Sequence, residues 1–561
     1  MNNKVKWQSF KVLLLVQSIF ALLGATTGKA SAIDIQDTNY AIPSGAYYVS
    51  PSGSSSNSGK APSSPWSVDK ALTSAPSGST IVFRGGIYRG IETKIRKKLQ
   101  LQAYPHEKPW LKGSVVVTGW VGDGNIWRKD GWTYSFPNES SSAFINPDYP
   151  MAGYRDMVYI NGAPLQQVGS KAEVVSGTFY VDSSKDQLYI GSNPNGKTVE
   201  GTAQKETFLV WGSDLVVRGL GFAHYADRGM LVSAPRVTLE KNTFAWNGAQ
   251  GVRLYGSDAI VRGNIFSYNG RNGFWAGSGS DRMLLEGNTI SYNNVEHFVT
   301  SWDAAGIKVI NNDRLIWRNN IVENNYSTGM WLDESVTNAT VVHNISRHND
   351  AMGIFFEISS KAIIAANLVY DNMVGIMVSN SSGAKVYNNT LVDNRLNLIL
   401  KDTNRNNTDA EGIAEGITWI ARKNVFKNNI LSSNNTGNVM FSLSNCGTME
   451  PSSMTVDGLD YNAYYRRSSS KPSQVITWSL GKSNCAAAYS SIDAFKSATS
   501  YEDHALAIDN VSTNPFFVDE AGEDYRLKSG SPAIKRGQPL PASVAKAIGV
   551  DSGVSVNLGA F

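Results

Sequence analysis

The chain has 561 residues, 42% hydrophobic and 17% charged, with 51 Lys and Arg against 47 Asp and Glu and only two cysteines. That length holds a large core or several subdomains, and two cysteines exclude a disulfide-built scaffold. The formal charge of +4 comes from Lys4, Lys6, Lys11 and Lys29, so the remainder is balanced; this argues against nucleic-acid binding through backbone charge and gives no general support for a strongly anionic substrate.

In chain order, residues 1–32 combine a basic start, an apolar run at 12–23 and the small-residue sequence ASA at 30–32, the pattern of an export signal. No later segment reaches the roughly 18 to 20 unbroken apolar residues a membrane helix needs. The expectation is a secreted monomer, extracellular or periplasmic, without a membrane span. Residues 33–103 are expected to form an N-terminal cap and first coils, and 104–210 a β-rich subdomain.

From residue 211 a repeat takes over. A frame of Asn, four residues and Asn occurs at 242/247, 264/269, 288/293, 320/325, 344/349, 367/372, 389/394 and 424/429, with starts 22, 24, 32, 24, 23, 22 and 35 residues apart. Short β-rich runs such as VTLEKNTF, MLLEGNTI and ATVVHNI recur at this period, joined by Asn and Gly turns. Helical repeats are usually longer, and sustained helical periodicity is missing. The reading is all-β, a parallel β-solenoid over 211–443 in which asparagines bond backbone at tight bends. Residues 444–561 hold Cys446 and Cys485, which can pair in an exported protein, a short helix at SIDAFKSAT, and the terminal coils and tail.

Aligning Gly251, Gly273, Gly306, Gly329, Gly353, Gly375 and Asn397 sets the strand register. Residues one and three places on are Val252/Leu254, Phe274/Ala276, Ile307/Val309, Met330/Leu332, Ile354/Phe356, Ile376/Val378 and Leu398/Leu400, all fourteen apolar. Side chains alternate along a strand, so these face the core and the residues between them face out. The outer face carries Arg253, Trp275, Lys308, Trp331, Asp333, Phe355 and Glu357. Asp333 and Glu357, 24 residues apart, fall in one column of adjacent coils, with backbones about 4.8 Å apart. Stacked like charges destabilise a sheet, so the step needs an explanation.

Three readings fit the pair. They can be surface acids screened by solvent and Lys308. They can be hard-cation ligands for calcium. They can be the carboxyls of a retaining glycosidase, which lie roughly 5 to 5.5 Å apart. Large aromatics on the same face favour the third, because Trp275, Trp331 and Phe355, expected to be exposed there, suit the apolar faces of sugar rings. Two inserts, EHFVTSWDAAG and NRNNTDAEGIAEG, bracket these coils as cleft walls. The first carries His297, Trp302 and Asp303, which are expected to contact and select substrate; Arg253 is counted with the binding residues.

The segments YYVSPSGSSSNSGKAPSSPWSVDKAL and GSTIVFRGGIYRG resemble the first coils of right-handed parallel β-helix carbohydrate enzymes, which include polysaccharide lyases, epimerases and glycoside hydrolases. MVYINGAPLQQVGS…GTFYVDSSKDQLYIGSNPNG is similar to the β-rich insert of the hydrolase branch, as are WLD at 331–333 and FFE at 355–357 to the nucleophile and acid/base segments of its β-xylosidase-like group. After Glu357 the chain reads ISSKA where that group has a His- and Gly-containing run. The resemblance implies a retaining hydrolase of polysaccharides or oligosaccharides, with Asp333 as nucleophile, Glu357 as acid/base, Lys308 steadying the nucleophile and no cofactor. The alternatives are a lyase or uronate epimerase of the same fold, with Lys308 or another base taking the C5 proton and the acids holding calcium or the uronate, or a glycan-binding matrix protein without turnover.

Overall fold

The computed structural model describes residues 33–403, 405–433, 438–444, 455–479 and 487–561. The signal segment, Cys446 and Cys485 lie outside the described residues.

Three sheets of 13 strands each run along a right-handed β-helix, parallel except where Ala487–Tyr489 closes one of them antiparallel to Ile476–Trp478. One coil contributes a strand to each sheet, as in Ile316–Arg318, Ile321–Glu323 and Thr328–Asp333. All fourteen residues assigned to the interior are buried, none more than 2% exposed. Within this core Phe222, Phe244 and Phe266 stack in successive coils at centroid distances of 4.8 and 5.2 Å.

The asparagine frame builds the two bends of each coil. The residue before each frame Asn turns the chain through the left-handed region, as at Asn319 (φ 57°) and Asn324 (φ 54°). The following Asn side chain then enters the interior. Asn320 donates through Nδ2 to Asn344 Oδ1 at 2.9 Å and to the Leu285 carbonyl at 3.1 Å, while its amide N–H donates to Asn344 Oδ1 at 3.0 Å. Each buried amide is thus satisfied by the coil on either side, which removes the desolvation penalty of placing it there.

The last frame corrects the sequence alignment. Asn389 bonds to Asn429, 40 residues on, whereas Asn424 accepts from the Ala384 amide at the start of a strand. The insert in this coil lets Asn429 take the rung that Asn424 was expected to hold.

A mostly antiparallel body interrupts the coils within residues 114–202. It has a four-stranded sheet and a five-stranded sheet around Trp132, Phe179, Leu188 and Ile190. The flanking strands Pro109–Lys112 and Glu206–Val210 belong to the long parallel sheets. Coils resume after 443 with Val456–Asp460, Ala463–Arg466 and Ile476–Trp478. The expected helix forms at Ile492–Thr499, with Ser491 Oγ accepting from the Ala494 amide at 3.1 Å. A C-terminal helix, Ala542–Ile548, packs on the outside of Thr340–Val342 and Ile363–Ala365. Among the described residues no helix is long and apolar enough to cross a membrane.

Candidate active site

Strands Thr328–Asp333 and Met352–Glu357 pair with Met330 opposite Ile354, Trp331 opposite Phe355 and Leu332 opposite Phe356. Asp333 and Glu357 follow immediately, at the ends of adjacent strands. Their surroundings differ. The Lys308 ammonium lies 2.9 Å from Asp333 Oδ2, donates to the Trp302 carbonyl at 2.6 Å and sits 3.7 Å from the Trp331 ring centroid. Asp333 Oδ1 also accepts from the Glu334 amide at 2.8 Å. Glu357 is more deeply buried. Burial, and then the neighbouring Asp333 charge, push its pKa up to about 7, against the opposing pull of Arg405, whose Nη1 is 2.7 Å from Oε1.

The chain bends sharply after each acid. Glu334 and Ser335 have φ of 45° and 62°, and Ile358 has 38°. A β-branched residue in the left-handed region is strained. Ile358 is held there by its amide donating to the Ser379 carbonyl, by its carbonyl accepting from the Ser335 amide, and by packing against Ile417 and Trp419, just past the second insert. The segment that follows the insert therefore fixes the backbone beside Glu357, and the insert itself delivers Arg405.

The outward aromatics are not solvent-exposed platforms. Trp331 is 2% exposed and Phe355 5%; their rings stack at 5.2 Å and join Ala305, Val374 and Met377 in a second apolar cluster on the outer face. Strand alternation puts them outside the sheet, but neighbouring coils and long side chains cover them. Trp275 is also buried, with Nε1 donating to Asp303 Oδ1 at 3.3 Å and the Arg253 guanidinium 4.7 Å from its ring centroid.

The first insert divides. Trp302 is exposed and gives its carbonyl to Lys308, while Asp303 Oδ2 lies 3.1 Å from Arg271 Nε. His297 does not join them. Its ring stacks on Tyr149 at 4.2 Å and tilts against Tyr326, lining a separate cavity of about 510 Å³ that contains neither Asp333 nor Glu357. That cavity holds two acids the sequence reading missed, Glu296 and Asp156, raised by burial to about 7 and about 6. Arg405 was also missed, although it lies within the second insert. Arg253 lines a third cavity, with Arg155 and Arg271.

Each carboxylate has its own cation, Lys308 at 2.9 Å from Asp333 and Arg405 at 2.7 Å from Glu357. Among the described residues no three His, Cys, Asp or Glu side chains are grouped to hold a metal ion.

Two family models match parts of the chain: a right handed beta helix region over residues 228–391, and a periplasmic copper-binding protein (NosD) model over 151–300. No curated protein matches the sequence. Among solved structures, the complex of XylC with xylose superposes with a TM-score of 0.62 at 15% identity, covering 84% of this chain and 86% of that one. A glycoside hydrolase gives 0.49 at 14% identity over 64% of this chain and 94% of that one, and pectate lyase Pel9A gives 0.42 at 13% over 94% and 98%. Three long parallel sheets, the asparagine rungs, the beta helix model and the XylC superposition agree: the chain has the right-handed parallel β-helix fold.

Proposed function

We propose that the chain is a retaining glycoside hydrolase acting on a polysaccharide or oligosaccharide, with Asp333 as nucleophile and Glu357 as acid/base. The observation that carries this reading is the unequal setting of two carboxyls at the ends of adjacent strands: Asp333 beside an ammonium, Glu357 buried with a pKa near 7. Environments that separate two acids in this way separate their roles.

Protonated Glu357 donates to the leaving glycosidic oxygen while Asp333 attacks the anomeric carbon, giving a glycosyl ester. Esterification removes the Asp333 charge, which is one of the causes holding the Glu357 pKa up. Glu357 then gives up a proton more readily and accepts one from the water that cleaves the ester. Lys308 stabilises Asp333 before attack and when it leaves. The similar XylC structure is described with xylose, which agrees with a sugar substrate.

Lys308 is engaged by Asp333, the Trp302 carbonyl and the Trp331 ring, which counts against Lys308 as the base that takes the C5 proton in a lyase or epimerase. Buried aromatics likewise count against a purely glycan-binding face. The test is substitution. Glu357→Gln is expected to lower kcat by about 10²- to 10⁴-fold on glycosides with poor leaving groups. Asp333→Ala should be inactive, with activity returned in part by azide. Full activity in either variant, or products with the ultraviolet absorbance of unsaturated sugars, excludes this mechanism.

A further inference from the structure

Three strands before the one bearing Asp333, the outer face opens into a cavity of about 290 Å³ between the coils and residues 136–139 of the antiparallel body. By strand spacing it lies about 14 Å along the helix from Asp333. Its charged lining is Arg155, Lys205, Arg253 and Arg271 against Glu139 and Asp227.

Asp227 and Glu139 attract these arginines, but neither forms a contact ion pair with Arg155 or Arg253 among the described residues. Asp227 is paired with Arg228, which also lies 3.0 Å from Glu206, and Arg271 is paired with Asp303 outside the cavity lining. Among the described residues Arg155, 8% exposed, makes no contact ion pair; it donates to the Gly248 carbonyl at 3.4 Å and lies 5.9 Å from the Phe298 ring centroid. Among the same residues Arg253 also lacks a contact ion pair, and its buried Nε has no hydrogen-bond partner. Burial pushes the pKa of both Arg155 and Arg253 down, with repulsion from Arg228 and Arg271 adding to it and attraction by Asp227 opposing it. Buried guanidinium groups without a contact ion pair are costly, and an incoming anion lowers that cost. A planar fork of N–H donors matches a carboxylate in particular.

We propose that this cavity is a subsite for the carboxylate of an acidic sugar, a uronic acid unit lying along the outer face from the bond cleaved at Asp333 and Glu357. The assignment rests on the hydrolase reading for its orientation, but the binding it requires is measurable without turnover. It also locates anion recognition in a local cluster that the balanced charge of the chain conceals.

The test is calorimetric titration of the full-length protein with D-glucuronate, D-glucose and inorganic sulfate. Glucuronate is expected to bind and glucose not, with Arg253→Gln and Arg155→Gln each weakening glucuronate at least about 10-fold, the scale of one charged hydrogen-bonded contact. Glu357→Gln should bind it as the unsubstituted protein does, so loss of the hydrolase reading leaves this result standing. If Arg253→Gln does not fold, Arg253→Lys keeps the charge, loses the fork and is expected to weaken binding in the same direction. Equal binding of glucuronate and glucose, glucuronate binding untouched by either arginine variant, or binding of sulfate without glucuronate would each overturn the proposal. The last would mark a site for free inorganic anions.

Discussion

At the residue scale, Glu357 is held near pH 7 by burial and by Asp333, and Arg405 opposes both. A general acid works only while protonated, so kcat/KM should fall as pH rises past about 7. Removing the Arg405 cation removes a lowering influence. Arg405→Ala should therefore move the alkaline limb of the pH–rate profile upward; a limb that stays in place or moves down would show that Arg405 does not bear on Glu357 in the working enzyme. Asp333, Glu357 and Lys308 were legible because strand alternation fixes which residues share a face. What covers that face was not legible, since the burial of Trp331 and Phe355 depends on stacking between coils and on side chains from elsewhere. Arg405 comes from a long insert whose path no periodicity specifies.

At the element scale, the asparagine rungs were readable as a period and as bend chemistry, and they form continuous buried ladders. Asn320→Ala should orphan the groups it serves in the coils on either side and destabilise the protein by about 1–3 kcal/mol for each group left unsatisfied, measured by chemical denaturation. A change within error would mean that the rungs follow the bends without supporting them. One ladder ends on an acid: Glu502 Oε1 accepts from Asn462 Nδ2 at 2.8 Å and from the Tyr464 hydroxyl at 2.5 Å. Burial raises the Glu502 pKa from 4.5 to about 7. The folded state thus holds this proton more tightly than the unfolded chain. Its contribution to stability is fullest below about pH 4.5 and declines as pH rises towards 7. Glu502→Gln should flatten that decline in a series of melting curves between these pH values; an unchanged slope would contradict the assignment. The sequence did not reveal this end rung because an acid replaces the repeated asparagine after an irregular 40-residue step.

At the scale of the whole molecule, the period, the interior residues and the outward column of acids all survive in three dimensions, because a solenoid repeats one local rule. Departures gather where the rule is interrupted. The insert after Lys401 displaced the last asparagine frame, the loop carrying His297 sends that ring to a different cavity, and the antiparallel body walls the arginine-lined cavity that net charge gave no sign of. These interruptions also bracket the carboxyl pair, which itself stands on the regular sheet. Covalent catalysis at Asp333, as proposed, is tested by intact-mass measurement after incubation with 2-deoxy-2-fluoro aryl glycosides spanning pentoses, hexoses and uronic acids. One glycosyl unit is expected per chain, mapped by peptide sequencing to Asp333 and lost in Asp333→Asn. A protein that remains unlabelled across the panel, or a label that persists in Asp333→Asn, would contradict the account.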